Sequence, residues 1–225
     1  FLTGQNSYID NTMLSKQQNI ARVILAAISW FAVFLQFRIM INSGEVTGLS
    51  KPMLAANFFS YFTILSNLLV AISLSYQLNF PRSKPGQFFN STSVSTAIAV
   101  YIFIVGLVYN LVLRKIWSPT GWQLVADNLL HVAVPLLYVL YWYFFAQREP
   151  LGWKSLLSWL IFPALYLSYT MIRGAMINWY PYPFVNAGNL GYVKVALNSL
   201  AVLATILITG SVLLVINNRT KVKQS

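Results

Sequence analysis

The chain has no cysteine, one histidine and only four acidic residues in 225. The first absence excludes disulfides, thiolate metal sites and cysteine nucleophiles. The second and third leave no ligand set for a metal centre, since zinc wants three or four His, Cys or carboxylate ligands. Asp10, Glu45 and Glu149 are moreover scattered over the amino-terminal region and two separate loops. There is no glycine-rich phosphate loop and no dinucleotide fingerprint, so no cofactor is expected. Long polar linkers are also lacking, so no second domain is expected.

What the chain has is apolar length. Hydrophobic residues make up 57% and charged residues 8%, in charge-free runs too long and too numerous for a soluble core of this size. Six spans are expected at about 20–41, 53–78, 92–113, 123–146, 155–176 and 191–216, each near the roughly 20 residues that cross about 30 Å of hydrocarbon. The runs are continuous and do not alternate apolar with polar, which excludes an outer-membrane barrel and leaves helices that satisfy their own backbone. The expected fold is therefore an all-α membrane protein, a bundle of six transmembrane helices forming one domain. The first span is too long and too polar at its end to be a cleaved signal peptide. The second, uncharged from Pro52 to Pro81, must tilt or extend beyond the hydrocarbon if it is one helix. Pro163 is expected to kink the fifth. Trp179-Tyr-Pro-Tyr-Pro-Phe184 cannot be a regular helix and is expected to form a rigid lip after the fifth span.

Lysine and arginine count the sides. With a cytoplasmic amino end, that side carries Lys16, Arg22, Arg82, Lys84, Arg148, Lys154, Arg219, Lys221 and Lys223. The other carries Arg38, Lys51, Arg114, Lys115, Arg173 and Lys194, nine against six. Both termini are thus expected in the cytoplasm. The net charge of +11 is spread over all loops, which points to topology and anionic-lipid contact and not to nucleic acid. Arg38 and Arg173 are expected to snorkel to the interface in preference to binding a substrate carboxylate, and Lys194 to anchor the last span there.

His131 is the outlier, an ionisable ring in the apolar stretch DNLLHVAVPLLYVLYWYFF. Such a residue inside a membrane helix is a functional-site candidate by default. Asp127 precedes it by four, which on a helix sets a carboxylate on the same face one turn away. A hydroxyl at equal depth is available on the second span. Thr63 lies ten residues in from Met53 and His131 nine in from Trp122, so at about 1.5 Å per residue both reach roughly 15 Å below one surface. A threonine hydroxyl becomes a nucleophile when a base takes its proton, and histidine is the usual base. Asp127 would orient the imidazole. Asn67, one turn after Thr63, and Asn128 are the side-chain amides available to an oxyanion, and Ser60 and Ser66 flank Thr63 as rival nucleophiles or donors. The bland alternative is that these polar groups glue helices together. A third option is a non-enzymatic membrane protein that binds or moves a small solute or lipid, with Asp127 and His131 as a proton relay. Of the aromatics Phe58, Phe59, Tyr61, Tyr138 and Trp142, some are candidates to line an acyl tunnel, and most are expected in helix packing or bilayer contact.

The segments FFSYFTILSNLLV, DNLLHVAVPLLYVLYW and WYPYPFVNAGNLGY, at these spacings among six spans, resemble the androgen-induced and FAR-17a-like membrane proteins, with the closer likeness to their bacterial six-span relatives. That resemblance implies an integral-membrane hydrolase with a threonine nucleophile and a histidine base, cleaving fatty acid esters of hydroxy fatty acids. The family threonine falls on Thr63 and the histidine on His131, four residues before Pro135. The family's Tyr-Pro-Phe element falls on Tyr182, Pro183 and Phe184, which makes Tyr182 a candidate substrate-binding residue. The implied partner is a lipid or fatty-acyl ester in the bilayer.

Overall fold

A computed structural model describes residues 2–221, with side chains for 15–220. Among the described residues there are helices and no strands. Six helical segments are long and apolar enough to cross a membrane: Ser15–Thr47, Phe62–Asn79, Thr92–Lys115, Gly121–Phe145, Lys154–Ile177 and Ala187–Thr220. They match the six expected spans, and the protein is an all-α membrane bundle.

The third span is the axis of the bundle. Its small and β-branched run Ala97–Ile102 is almost wholly enclosed, because small side chains let neighbouring backbones approach where no hydrophobic force holds helices together. It packs against the second, fourth and sixth spans, and the first packs against the second and fourth. The fifth span is the most peripheral, with 11% of its most apolar stretch buried against 56% for the third.

Two prolines disrupt spans, Pro163 as expected and Pro135 in addition. Pro163 has no N–H for the Trp159 carbonyl, and the fifth span breaks at Leu160 between the helices Lys154–Trp159 and Ile161–Ile177. The freed carbonyl accepts the Tyr101 hydroxyl at 2.6 Å. Pro135 does the same to His131, and the fourth span widens into a π turn over Leu129–Ala133. The freed His131 carbonyl accepts the Asn110 amide at 3.4 Å, and the helices pack closely there, since a Cβ on Gly106 would lie 3.2 Å from that oxygen.

The second span differs from expectation. It is not one tilted helix over 53–78. A short helix Lys51–Phe58 ends in a turn, Tyr61 is extended (φ −88°, ψ 126°), and a second helix runs Phe62–Asn79. No proline or glycine marks the break. It is held from outside: the fifth span's Tyr166 donates to the Ser60 carbonyl at 3.0 Å, and Tyr169 bonds the Ser60 hydroxyl at 2.9 Å. Non-helical backbone at membrane depth survives only where such partners satisfy it. The last span also bends, at Gly191 with φ 74°, a left-handed value that glycine tolerates.

Candidate functional site

The break decides what Thr63 is. As the second residue of the helix Phe62–Asn79, it carries a backbone N–H with no partner inside that helix. The N–H donates to the Tyr182 hydroxyl at 3.1 Å, and Thr63 Oγ1 lies 3.2 Å from the same oxygen. Tyr182 is supplied by the proline-rich segment after the fifth span. Pro183–Val185 forms a 3-10 turn, its Phe184 carbonyl takes the Asn198 amide at 2.8 Å, and Tyr182 stacks on Phe184 with centroids 5.2 Å apart. The segment is thus not a regular helix, as expected, and its central tyrosine is folded into the bundle. Burial pushes the Tyr182 phenol up to about 12, against the opposing pull of its bonds with Thr63. It therefore remains a neutral O–H at physiological pH.

The segment's seat includes Gly174, where a Cβ would lie 2.0 Å from the Tyr180 ring. Gly174→Val is expected to push the segment outward and take Tyr182 off Thr63. The expected readout is a lowered thermal midpoint, corresponding to a stability loss of about 1–3 kcal/mol, the usual cost of overpacking. A midpoint equal to wild type would show that the Tyr180 contact does not seat the segment.

Thr63 and Tyr182 stand on the wall of a cavity of about 600 Å³. Its lining is nearly all apolar, from Phe62, Val105, Tyr109, Tyr166, Phe184 and Leu203 among others. Ala164, Ala196 and the 59% exposed Leu200 also line it, so it opens sideways between the fifth and sixth spans. A volume of this kind suits a drug- or lipid-sized apolar ligand. The tunnel aromatics considered from sequence lie elsewhere: Phe58, Tyr138 and Trp142 are in the core and Phe59 is half exposed.

His131 and Asp127 share a face as their spacing requires. Nδ1 of His131 is 3.0 Å from the Asp127 carbonyl and 3.3 Å from its Oδ1. The Tyr109 hydroxyl donates to Asp127 Oδ2, and the Tyr109 ring stacks on the imidazole with centroids 3.9 Å apart. These bonds assign the proton to Nδ1, which leaves the Nε2 lone pair as the basic site. Nε2 has no hydrogen-bond partner among the described residues, and 14% of the side chain stays accessible. Tyr109 also lines the cavity and was not singled out from sequence. An aromatic in a membrane helix is too common to stand out.

Thr63 and His131 share no hydrogen bond. They are linked instead through Asn67, whose amide donates to the Thr63 carbonyl at 2.8 Å and to the Leu130 carbonyl at 3.2 Å. The depth match made along an unbroken second span does not apply, yet this bond sets the two helices level there. It also spends the amide nitrogen, so Asn67 is not a free oxyanion donor, and its Oδ1 is buried without a partner. Asn128 is half-buried and makes no side-chain hydrogen bond among the described residues. Ser60 is engaged with Tyr169 and the Ala56 carbonyl. Ser66 is enclosed with an unpaired hydroxyl. Among the described residues no three His, Asp or Glu side chains gather as metal ligands.

No family model, no curated protein and no solved structure matches this chain.

Proposed function

We propose that the protein is an intramembrane hydrolase of lipid-like esters, fatty acid esters of hydroxy fatty acids among the candidates, with Thr63 as nucleophile. The observation that carries this reading is the position of the Thr63 hydroxyl. It stands at the start of a half-helix, bonded to a buried phenol, on the wall of an apolar cavity that opens toward lipid. The resemblance to the FAR-17a-like proteins supports the same two residues.

In this mechanism the Thr63 oxygen attacks the acyl carbonyl and its proton passes to His131 Nε2, through one intervening water or after the two side chains approach. The ester C–O bond breaks and the alcohol leaves with the proton from His131. Water, deprotonated by His131, then attacks the acyl-threonine; the acid leaves and Thr63 regains its proton. Asp127 orients the imidazole and balances its transient charge. The oxyanion would accept from the Thr63 N–H and the Tyr182 hydroxyl, which now bond each other. With nine cations against six, we place both termini in the cytoplasm of a bacterial inner membrane and the site toward the opposite face.

A second reading draws on the absence of a Thr63–His131 hydrogen bond: the Tyr109–Asp127–His131 cluster would serve as a proton relay in a solute or lipid carrier. The deciding experiment is labelling of the detergent-purified protein with a fluorophosphonate, followed by peptide mass mapping. The hydrolase reading expects one adduct, on Thr63, blocked by His131→Ala. A folded wild type that takes no label, together with a transport defect in Asp127→Asn, would establish the carrier instead.

A further inference from the structure

Arg173 does not behave as an interfacial snorkel. Arg38, for which the same role is expected, is exposed. The Arg173 guanidinium is instead drawn inward, with its Nη2 donating to Asn57 Oδ1 at 2.6 Å and its carbon 4.8 Å over the Trp179 ring. Nη1 is buried with no hydrogen-bond partner, and Nε donates to nothing among the described residues. Asn57, itself 3% exposed, has an amide nitrogen that is likewise undonated. No carboxylate lies within salt-bridge distance of the cation among the described residues.

Enclosing a cation without an anion is costly, as is leaving its donors unmade. Here one guanidinium nitrogen is buried with no acceptor, Nε of the same fork is undonated, and a planar fork of this kind matches a phosphate or carboxylate bidentately. We propose that Arg173, Asn57 and Trp179 form a binding site for the oxyanion in the head group of a membrane amphiphile. Trp179 meets Tyr61 edge to face at 5.8 Å, and Tyr61 meets Tyr182 at 5.6 Å. The head-group site therefore stands two rings from Thr63, which lines the apolar cavity. The site does not depend on the hydrolase reading, since a carrier would use it equally.

The test is thermal unfolding of the full chain in dodecyl maltoside, titrated with dodecyl phosphate, laurate, inorganic phosphate or dodecanol. Dodecyl phosphate or laurate is expected to raise the wild-type midpoint, and the stronger of the two identifies the head group as phosphate or carboxylate. Dodecanol should have no effect. Arg173→Gln is expected to weaken the response about tenfold, the usual worth of one charge-assisted hydrogen bond, while Arg38→Gln keeps it. Should Arg173→Gln not fold, Arg173→Lys keeps the charge without the fork and is expected to lose the same response. Equal responses in the Arg173 variants and wild type, or a shift with dodecanol as large as with the anions, would overturn the site. A full shift with inorganic phosphate alone would overturn the amphiphile.

Discussion

Thr63→Ala is expected to abolish ester cleavage, by about 10⁴-fold or more, as removal of a covalent nucleophile does. It should do so without unfolding the protein. The backbone N–H that donates to Tyr182 remains, and only the hydroxyl bond to the same oxygen is lost, worth about 1 kcal/mol. Thr63→Ser keeps the oxygen and removes a methyl from a 7% exposed side chain; it is expected to retain cleavage within about tenfold, since one methylene-sized gap costs about 1 kcal/mol. The pair of variants separates chemistry from packing. Turnover of a fatty-acyl ester by purified protein, beside a thermal midpoint for each variant, measures both. Full activity in a folded Thr63→Ala protein would remove Thr63 from the mechanism and leave it a helix-break residue.

Tyr182→Phe has the next largest expected effect, a loss of about 10²–10³ in kcat, the range for one oxyanion donor. KM is expected to change little. The ring is retained, so its stack on Phe184 and edge contact with Tyr61 survive, and the apolar cavity wall is unchanged. A structural role predicts a different signature. Loss of the hydroxyl orphans the Thr63 N–H and lowers the midpoint in either case, but a structural role would also raise KM and lower kcat together. A transition-state analogue such as a trifluoromethyl ketone adds a second readout, because its affinity should fall in parallel with kcat/KM. An unchanged kcat in Tyr182→Phe would assign the oxyanion to other donors, and Asn128 and Ser66 are the candidates whose side chains are not already engaged.

Some of this site is legible in the chain because the interactions are local. Asp127 and His131 meet because they are four apart on one helix, and the π turn at His131 follows from Pro135 four residues on. The break before Thr63 is not legible in the same way. Phe59, Ser60 and Tyr61 include neither proline nor glycine, and the residues that stabilise the break, Tyr166, Tyr169 and Tyr182, lie 106 to 119 positions away. The engagement of Asn67 is hidden for a related reason. Its amide looks free in the sequence, but the partner that consumes it is a backbone carbonyl of another helix, and carbonyls carry no residue signature.

The amino-acid sequence alone determines the class of this protein. Long charge-free runs demand six helices in lipid, because only a helix satisfies its own backbone there. The absence of cysteine leaves no thiol among these residues, and spacing by four pairs Asp127 with His131. The tertiary structure decides everything that depends on distant partners. It breaks the second span, puts Tyr182 on Thr63, spends Asn67 on Leu130, and holds Arg173 inside with donors unmade. The physical reason is one of range: hydrophobicity and helical periodicity act within a few turns of chain, whereas an unpaired backbone or guanidinium donor in a bundle is settled by whichever helix packs beside it.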